Sequence, residues 1–265
     1  MTVDMTNFGE VDPVIQGIMG NIAPIEDTDP TLRCLIYGDT GVYKTTWAAG
    51  APDNLFVEAD VGNLSALLNS YAVNQGQRQK RFQFRGIDQV EKLGYYASIN
   101  HPALAPYKTI TIDKLTDLGF DNLAEITNRQ YGGGMDTRAM FKPQGDDYAE
   151  NNERLRRIVA NFRKSQKNLI VICHYRYFKN QRNVVTVGPD FSEKLIGNLS
   201  SMFNLVGYMT REDDGLGNTV GMMQTQPTPS IIAKCNIEGV PAQVPNSTWA
   251  QFYAAHTASL KRHAA

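Results

Sequence analysis

From Leu32 onward, short apolar runs alternate with longer segments of helical spacing. Runs rich in Leu, Ile and Val indicate strands buried on both faces, and such strands usually belong to a largely parallel sheet covered by helices. The pattern predicts strands at 32–37, 54–58, 81–84, 109–112, 169–173, 205–209 and 230–233. The fold class that follows is α/β, with a mostly parallel central sheet flanked by helices.

Helical spacing is strongest in segment 148–165, between the fourth and fifth predicted strands. Its apolar positions are Leu155, Ile158, Val159 and Phe162. A shorter helix is predicted over 45–49. The preceding segment 132–146 is glycine-rich and polar, without periodicity, which is typical of functional or mobile loops.

The chain divides into three parts. Residues 1–30 are rich in Asp, Pro and Gly and end in a turn-like sequence, which predicts an N-terminal extension or an oligomerisation arm. Residues 31–236 form the predicted core. Residues 237–265 are predicted to be a C-terminal segment with a short helix and a frayed basic tail, Lys261-Arg262-His263.

Composition indicates the size of the core, the possible binding partners and the cellular compartment. With 265 residues, 42% of them hydrophobic, the chain can bury one sizeable core. The net charge of -1 gives no global attraction to nucleic acid, so any such binding must come from local basic patches or several subunits together. Three scattered cysteines without CxxC spacing indicate reduced thiols, and no apolar run predicts a membrane span. These features predict a soluble cytoplasmic protein.

The segment 35–46, which reads LIYGDTGVYKTT, carries the main chemical signal. A strand leads into a glycine turn and then a helix, a geometry in which backbone N–H groups converge on phosphate oxygens. Lys44 is predicted to reach the β- and γ-phosphates of ATP and to assist catalysis, while the Thr45 hydroxyl would bind Mg²⁺. The candidate nucleotide-binding residues are Gly38, Asp39, Thr40, Gly41, Val42, Tyr43, Lys44, Thr45 and Thr46.

Tyr43 departs from the usual P-loop, which has glycine before the lysine. Glycine at that position lets the main chain approach the phosphates without an intervening side chain. Tyr43 therefore bears on nucleotide affinity and more strongly on hydrolysis. The alternative for the whole segment is a glycine turn that caps an ordinary helix.

Carboxylates follow two other predicted strands. Asp113 ends the strand at 109–112 and fits a Walker B aspartate that binds Mg²⁺, with a helix N-cap as the alternative. Glu58 and Asp60 end the strand at 54–58, and one of them could activate the attacking water. Asp60 is the preferred general base because it lies further into the loop, whereas Glu58 could equally be an ordinary strand-end residue.

His174 follows the strand at 169–173. A polar residue at this strand end could sense the γ-phosphate and transmit its presence to the following loop, 175–183. A single histidine could equally have a structural role.

The order of these segments resembles bacteriophage RecA-like P-loop ATPases, short single-domain relatives of RecA and Rad51 that are associated with single-strand annealing and recombination. The resemblance covers about residues 31–250. It implies a RecA-like core, with ATP and Mg²⁺ bound between the subunits of a homo-oligomeric ring or filament in the bacterial host cytoplasm. It also implies that Asp60 matches the catalytic glutamate, that His174 matches the sensor glutamine, and that Lys234 reaches the nucleotide of a neighbouring subunit. Relatives usually carry a second basic residue where this chain has Asn236.

Three basic clusters are candidates for nucleic-acid binding. The segment 78–85, including Arg81 and Arg85, interleaves cations with aromatic residues as single-strand binders do, although it could equally be a strand with its aromatic residues in the core. A second cluster lies on the helix at 148–165 and could be a solvated face. The preferred contacts are Arg176, Lys179 and Arg182, together with the segment 132–145.

The leading hypothesis is an ATP-dependent protein that binds single-stranded DNA in phage recombination or annealing, with a single-strand-binding protein as a candidate partner. One alternative is a nucleotide-gated structural or binding module with little hydrolysis. Another is a different P-loop motor, such as a helicase loader. Such motors usually end the Walker B strand in two acidic residues, whereas here Lys114 follows Asp113.

Overall fold

The computed structural model describes residues 31–58, 79–130, 143–179, 183–213 and 219–264. Its strands, in chain order, are β1 Arg33–Gly38, β2 Asn54–Glu58, β3 Gln79–Gln83, β4 Thr109–Asp113, β5 Asn168–Cys173, β6 Tyr175–Lys179, β7 Val185–Pro189, β8 Leu205–Asp213, β9 Thr219–Gln224, β10 Lys234–Cys235 and β11 Gln243–Pro245. Its α-helices are α1 Lys44–Ala49, α2 Ile87–Ser98, α3 Leu115–Gln130, α4 Gly145–Arg163, α5 Glu193–Ser200 and α6 Trp249–Ala264.

The central sheet has nine strands in the order β11-β9-β8-β1-β5-β4-β2-β3, with β10 also paired to β8. The six strands from β8 to β3 are mutually parallel. β5 lies between β1 and β4, so the carboxyl ends of these three strands meet at one edge of the sheet. This arrangement confirms the predicted α/β fold.

The two faces of the sheet bury different side chains, because successive residues of a strand point to opposite sides. On one face, Leu35, Ile112 and Val171 belong to an apolar cluster that also contains residues of α2, α3 and α4. On the other face, Ile36 and Ile172 belong to a cluster with Trp47, Trp249 and Phe252 from α1 and α6. The C-terminal helix is thus part of the core.

Several predicted boundaries were wrong. The strand expected at 230–233 is irregular, with isolated bridges at Ile231, and the strand follows at Lys234–Cys235. The segment expected to be a loop after His174 begins with β6, which pairs with β7 in a separate two-stranded sheet. The basic residues expected in a frayed tail belong to α6, and Arg262 pairs there with Glu238.

Among the described helices, none combines the length and apolar character needed to cross a membrane.

Candidate nucleotide site

The phosphate loop, defined as residues 38–45, joins β1 to α1. Gly38 adopts φ 154°, and a Cβ there would lie 2.2 Å from the carbonyl oxygen of Met209 on β8. Gly41 adopts φ 77° in the left-handed region that favours glycine. β8 therefore passes too close for any side chain at Gly38, and the turn at Gly41 gives the loop its concave main chain.

Lys44 is buried at the base of the loop. Its amine donates hydrogen bonds to the carbonyl oxygens of Gly38, at 2.9 Å, and Asp39, at 2.5 Å. Burial lowers the pKa of Lys44 to about 8, an effect that the nearby Asp113 carboxylate opposes. A buried amine without a full ion pair is suited to receiving an anion, because phosphate oxygens would replace weaker carbonyl partners.

Thr45 in the first turn of α1 contacts Asp113 at the end of β4. The Thr45 hydroxyl donates a 2.7 Å hydrogen bond to Asp113 Oδ2. Asp113 is 1% exposed, and burial raises the pKa of its carboxyl group while the bond from Thr45 opposes that rise. Asp113 Oδ1 is buried and has no hydrogen-bond partner among the described residues. A hydroxyl oxygen beside an incompletely bonded carboxylate is a donor set that Mg²⁺ accepts, so the residues fit this ion.

His174 lies at the carboxyl end of β5 beside the start of α3. Lys114 Nζ is 3.3 Å from His174 Nε2, and the same amine lies 3.0 Å from Asp117 Oδ2. An ammonium group only donates, so Nε2 accepts and the ring proton is on Nδ1. Partial burial and the Lys114 charge lower the pKa of His174, so the imidazole is neutral near pH 7.

The Tyr43 ring lies on the β8–β9 pair. Tyr43 adopts φ 68°, a left-handed conformation that costs a non-glycine residue about 1–2 kcal/mol. Arg211 Cζ lies 4.4 Å from the ring centroid. A Cβ at Gly221, the residue opposite Arg211, would lie 3.6 Å from the ring. Tyr43 thus keeps the backbone shape expected of a glycine, and its ring is held by a neighbouring strand pair.

Glu58 at the end of β2 forms an ion pair with Arg81 of the edge strand β3. Glu58 is 1% exposed, so this contact accounts for a buried carboxylate without a catalytic role. Arg81 therefore links β3 to the neighbouring strand β2, and Phe82 beside it packs against the core. The alternative of an ordinary strand is the better description of this basic segment. Asp60 lies outside the described residues.

The remaining predicted nucleic-acid residues differ in their surroundings. Arg85 is exposed, and its backbone N–H donates to the side chain of Gln89. Arg176 and Lys179 are exposed on β6, whereas Arg182 and residues 131–142 lie outside the described residues. Three arginines of α4 belong to ion pairs. Arg154 and Arg157 bind Glu91 of α2, and Arg156 binds Glu153.

Lys234 does not belong to the phosphate site of its own chain. β10 pairs with Leu205 and Val206 at the start of β8, whereas the phosphate loop contacts Met209 further along that strand. The Lys234 amine donates to the carbonyl oxygens of Ser200 and Phe203. This position is at the opposite end of the strands, and a contact with a neighbouring subunit stays a prediction.

Three contributors were missed by the sequence reasoning: Lys114, Asp117 and Arg211. Lys114 and Asp117 lie within one helical turn of Asp113, so their closeness to the site could have been noticed. Arg211 is 168 positions from Tyr43, and only the pairing of β8 with β1 brings the two together. No local sequence signal indicates that contact.

A parallel α/β sheet with a lysine-bearing glycine loop and an aspartate on a nearby strand defines the class of P-loop nucleotide-binding proteins. A family model described as an AAA domain matches residues 31–236. The chain therefore belongs to the AAA domain family, and it is a nucleotide-binding protein of the P-loop AAA ATPase type. No curated protein sequence matches the chain significantly.

Proposed function

We propose that this protein is a phage-type, RecA-like ATPase that binds single-stranded DNA in recombination or annealing, with ATP held between subunits of an oligomer. The observation that carries the nucleotide part is the Thr45–Asp113 hydrogen bond beside the buried Lys44 amine. These groups supply the contacts that a Mg²⁺–ATP complex needs. Mg²⁺, when bound, would neutralise phosphate charge.

The β6–β7 hairpin, residues 175–189 without 180–182, supports the DNA-binding part. Tyr177 is 63% exposed and stands between Arg176 and Lys179. In the described part of the chain, neither cation has a carboxylate within ion-pair distance, in contrast to the paired arginines of α4. Exposed aromatic rings for base stacking, next to cations for phosphates, are the means by which proteins bind single strands.

An aromatic row connects this hairpin to the phosphate loop and supports the dependence on ATP. Tyr37, which precedes Gly38, stacks on Tyr208 with centroids 5.0 Å apart. Tyr208 contacts Tyr175 at 6.3 Å, and Tyr175 contacts Tyr177 at 5.4 Å. His174 joins the hairpin directly to β5. A change in the loop on ATP binding therefore has packed side chains through which to alter the hairpin.

The decisive experiment measures binding of a fluorescent oligo-dT strand with and without MgATP. We expect MgATP to tighten binding by wild-type protein, and we expect Lys44→Ala to remove that effect. Tyr177→Ala should weaken binding about 5- to 150-fold, the range for loss of a stacked base. Arg156→Ala, on α4, serves as the matched control and should leave affinity unchanged. Absence of DNA binding in both nucleotide states contradicts the DNA-binding function.

A second candidate is a nucleotide-gated binding module with little hydrolysis. It is favoured by the Glu58–Arg81 pair, which leaves no described strand-end carboxylate of β2 free to activate water. In that case MgATP binds and depends on Lys44, but phosphate release by wild-type protein equals that of Lys44→Ala. A clear Lys44-dependent rate of phosphate release contradicts this candidate.

A further inference from the structure

The Tyr43–Arg211 contact joins the phosphate loop to the neighbouring strand pair β8–β9. β8 first passes Gly38, where the Met209 carbonyl leaves no room for a side chain. Two residues later, Arg211 extends over the Tyr43 ring. The opposite residue, Gly221, leaves a flat surface against which the ring lies. The ring is therefore held by the strand pair β8–β9.

The backbone of Tyr43 explains why such an anchor is needed. Its φ of 68° is accessible to glycine at no steric cost but is unfavourable for tyrosine. Successive N–H groups form an anion-binding concavity in a turn of this kind, in which a left-handed residue follows a right-handed one. Without a contact on the ring, Tyr43 would relax to a right-handed or extended conformation and the loop would lose that shape.

We propose that Arg211 is a positioning residue for ATP binding: by stacking on Tyr43 it holds the phosphate loop in its binding conformation and keeps the ring away from the phosphates. This inference rests on the proposed nucleotide site. A chain with tyrosine at the glycine position of the loop needs the arginine, and a chain with glycine there does not. Arg211 thus compensates for the departure of Tyr43 from the usual P-loop.

A double-mutant cycle with MgATP affinity as the readout tests the proposal. Tyr43 is 47% exposed and Arg211 is exposed, so Arg211→Ala should weaken MgATP binding about 2- to 5-fold, which corresponds to loss of a solvent-exposed cation–π contact. In the Tyr43→Gly background the same change should leave affinity unchanged, because glycine adopts the conformation unaided. Tyr43→Phe keeps the ring and should preserve the dependence on Arg211. Isothermal titration calorimetry on the full chain gives all the values.

Glu212→Ala, the exposed neighbour on β8, is the matched control and should bind MgATP like the wild type. If Arg211→Ala does not fold, Arg211→Gln replaces it in the same cycle. An equal loss in the Tyr43 and Tyr43→Gly backgrounds means that Arg211 touches the nucleotide directly and overturns the proposal, as does unchanged affinity in Arg211→Ala. Wild-type binding that is lost in Lys44→Ala shows that the nucleotide site itself holds, so either result then counts against Arg211 alone. Absence of MgATP binding by the wild type overturns both.

Discussion

Lys44 is buried, and its pKa is close enough to neutral pH for nucleotide binding to be sensitive to pH. Its pKa of about 8 lies below the ordinary value because burial disfavours the ammonium form. Phosphate favours the ammonium form, so the pKa must be higher in the ATP complex than in the free protein. Binding above pH 8 therefore requires proton uptake, which weakens it as pH rises.

We accordingly expect MgATP affinity to be constant between pH 6.5 and 7.5 and to fall above pH 8, by at most about tenfold for each pH unit. Titration calorimetry at pH 7.0, 8.0 and 9.0 measures this decline. Lys44→Ala should bind weakly and with no such dependence. A parallel decline in Lys44→Ala assigns the titration to another group.

The Thr45 hydroxyl gives a second prediction at the scale of one residue. Thr45→Val removes the oxygen that donates to Asp113 while keeping the shape of the side chain. The affinity for Mg²⁺ in the presence of ATP should fall about 10- to 100-fold, the usual effect of losing a group that supports a metal ligand. Thr45→Ser retains the hydroxyl and should stay close to the wild type. Equal behaviour of the two variants contradicts the assignment of Thr45 to Mg²⁺.

At the scale of elements, β2 ends at the carboxylate of Glu58, whereas Asp60 lies outside the described residues. Glu58 pairs with Arg81 and so joins β2 to the edge strand β3. Sequence alone left Glu58 and Asp60 open, because residues at alternate positions of a strand point the same way. The partner of Glu58 comes from a strand 23 positions away, and no pattern within β2 indicates it.

The ion pair of Glu58 and the proposed general-base role of Asp60 predict different effects of neutralising the two residues. Glu58→Gln should lower the melting temperature but leave the ATPase rate of the folded protein within a few-fold. Asp60→Asn should lower kcat about 10²- to 10⁴-fold, the contribution of a general base. Thermal unfolding and a steady-state phosphate-release assay separate these outcomes. A collapse of kcat in Glu58→Gln with unchanged stability reverses the assignment.

Strands flanking the phosphate loop were the most predictable elements, and the reasons are physical. β1, β2, β4 and β5 are buried along nearly their whole length because both of their faces are covered, and their apolar residues set them apart from the flanking segments, so their bounds were found to within one residue. β6 was missed because three of its five residues, Arg176, Tyr177 and Lys179, are exposed and the other two are only partly buried, so the strand has no apolar run. The strand expected at 230–233 failed because a short apolar run does not specify a pairing partner.

At the scale of the whole molecule, the carboxyl ends and the amino ends of the parallel strands carry different groups. Lys44, Asp113 and His174 converge where β1, β4 and β5 end, as expected for parallel strands. Lys234 lies at the amino ends of the strands, where its amine donates to two carbonyl oxygens at and just after the C-terminus of α5. A role for Lys234 in nucleotide binding therefore requires a second copy of the chain.

The proposed oligomer makes this requirement testable. If ATP lies between subunits, MgATP and oligo-dT together should raise the molar mass measured by light scattering above that of the free protein, and Lys44→Ala should prevent the rise. If Lys234 reaches the nucleotide of a neighbouring subunit, Lys234→Ala should assemble poorly and bind ATP weakly. If Lys234 is purely structural, the substitution should only lower the melting temperature, since it leaves the carbonyl oxygens of Ser200 and Phe203 without their donor. Arg262→Ala removes an exposed pair with Glu238 and serves as the control. A monomeric molar mass in all nucleotide and DNA states contradicts the placement of ATP between subunits, and it leaves Lys44, Thr45 and Asp113 as a site that works within one chain.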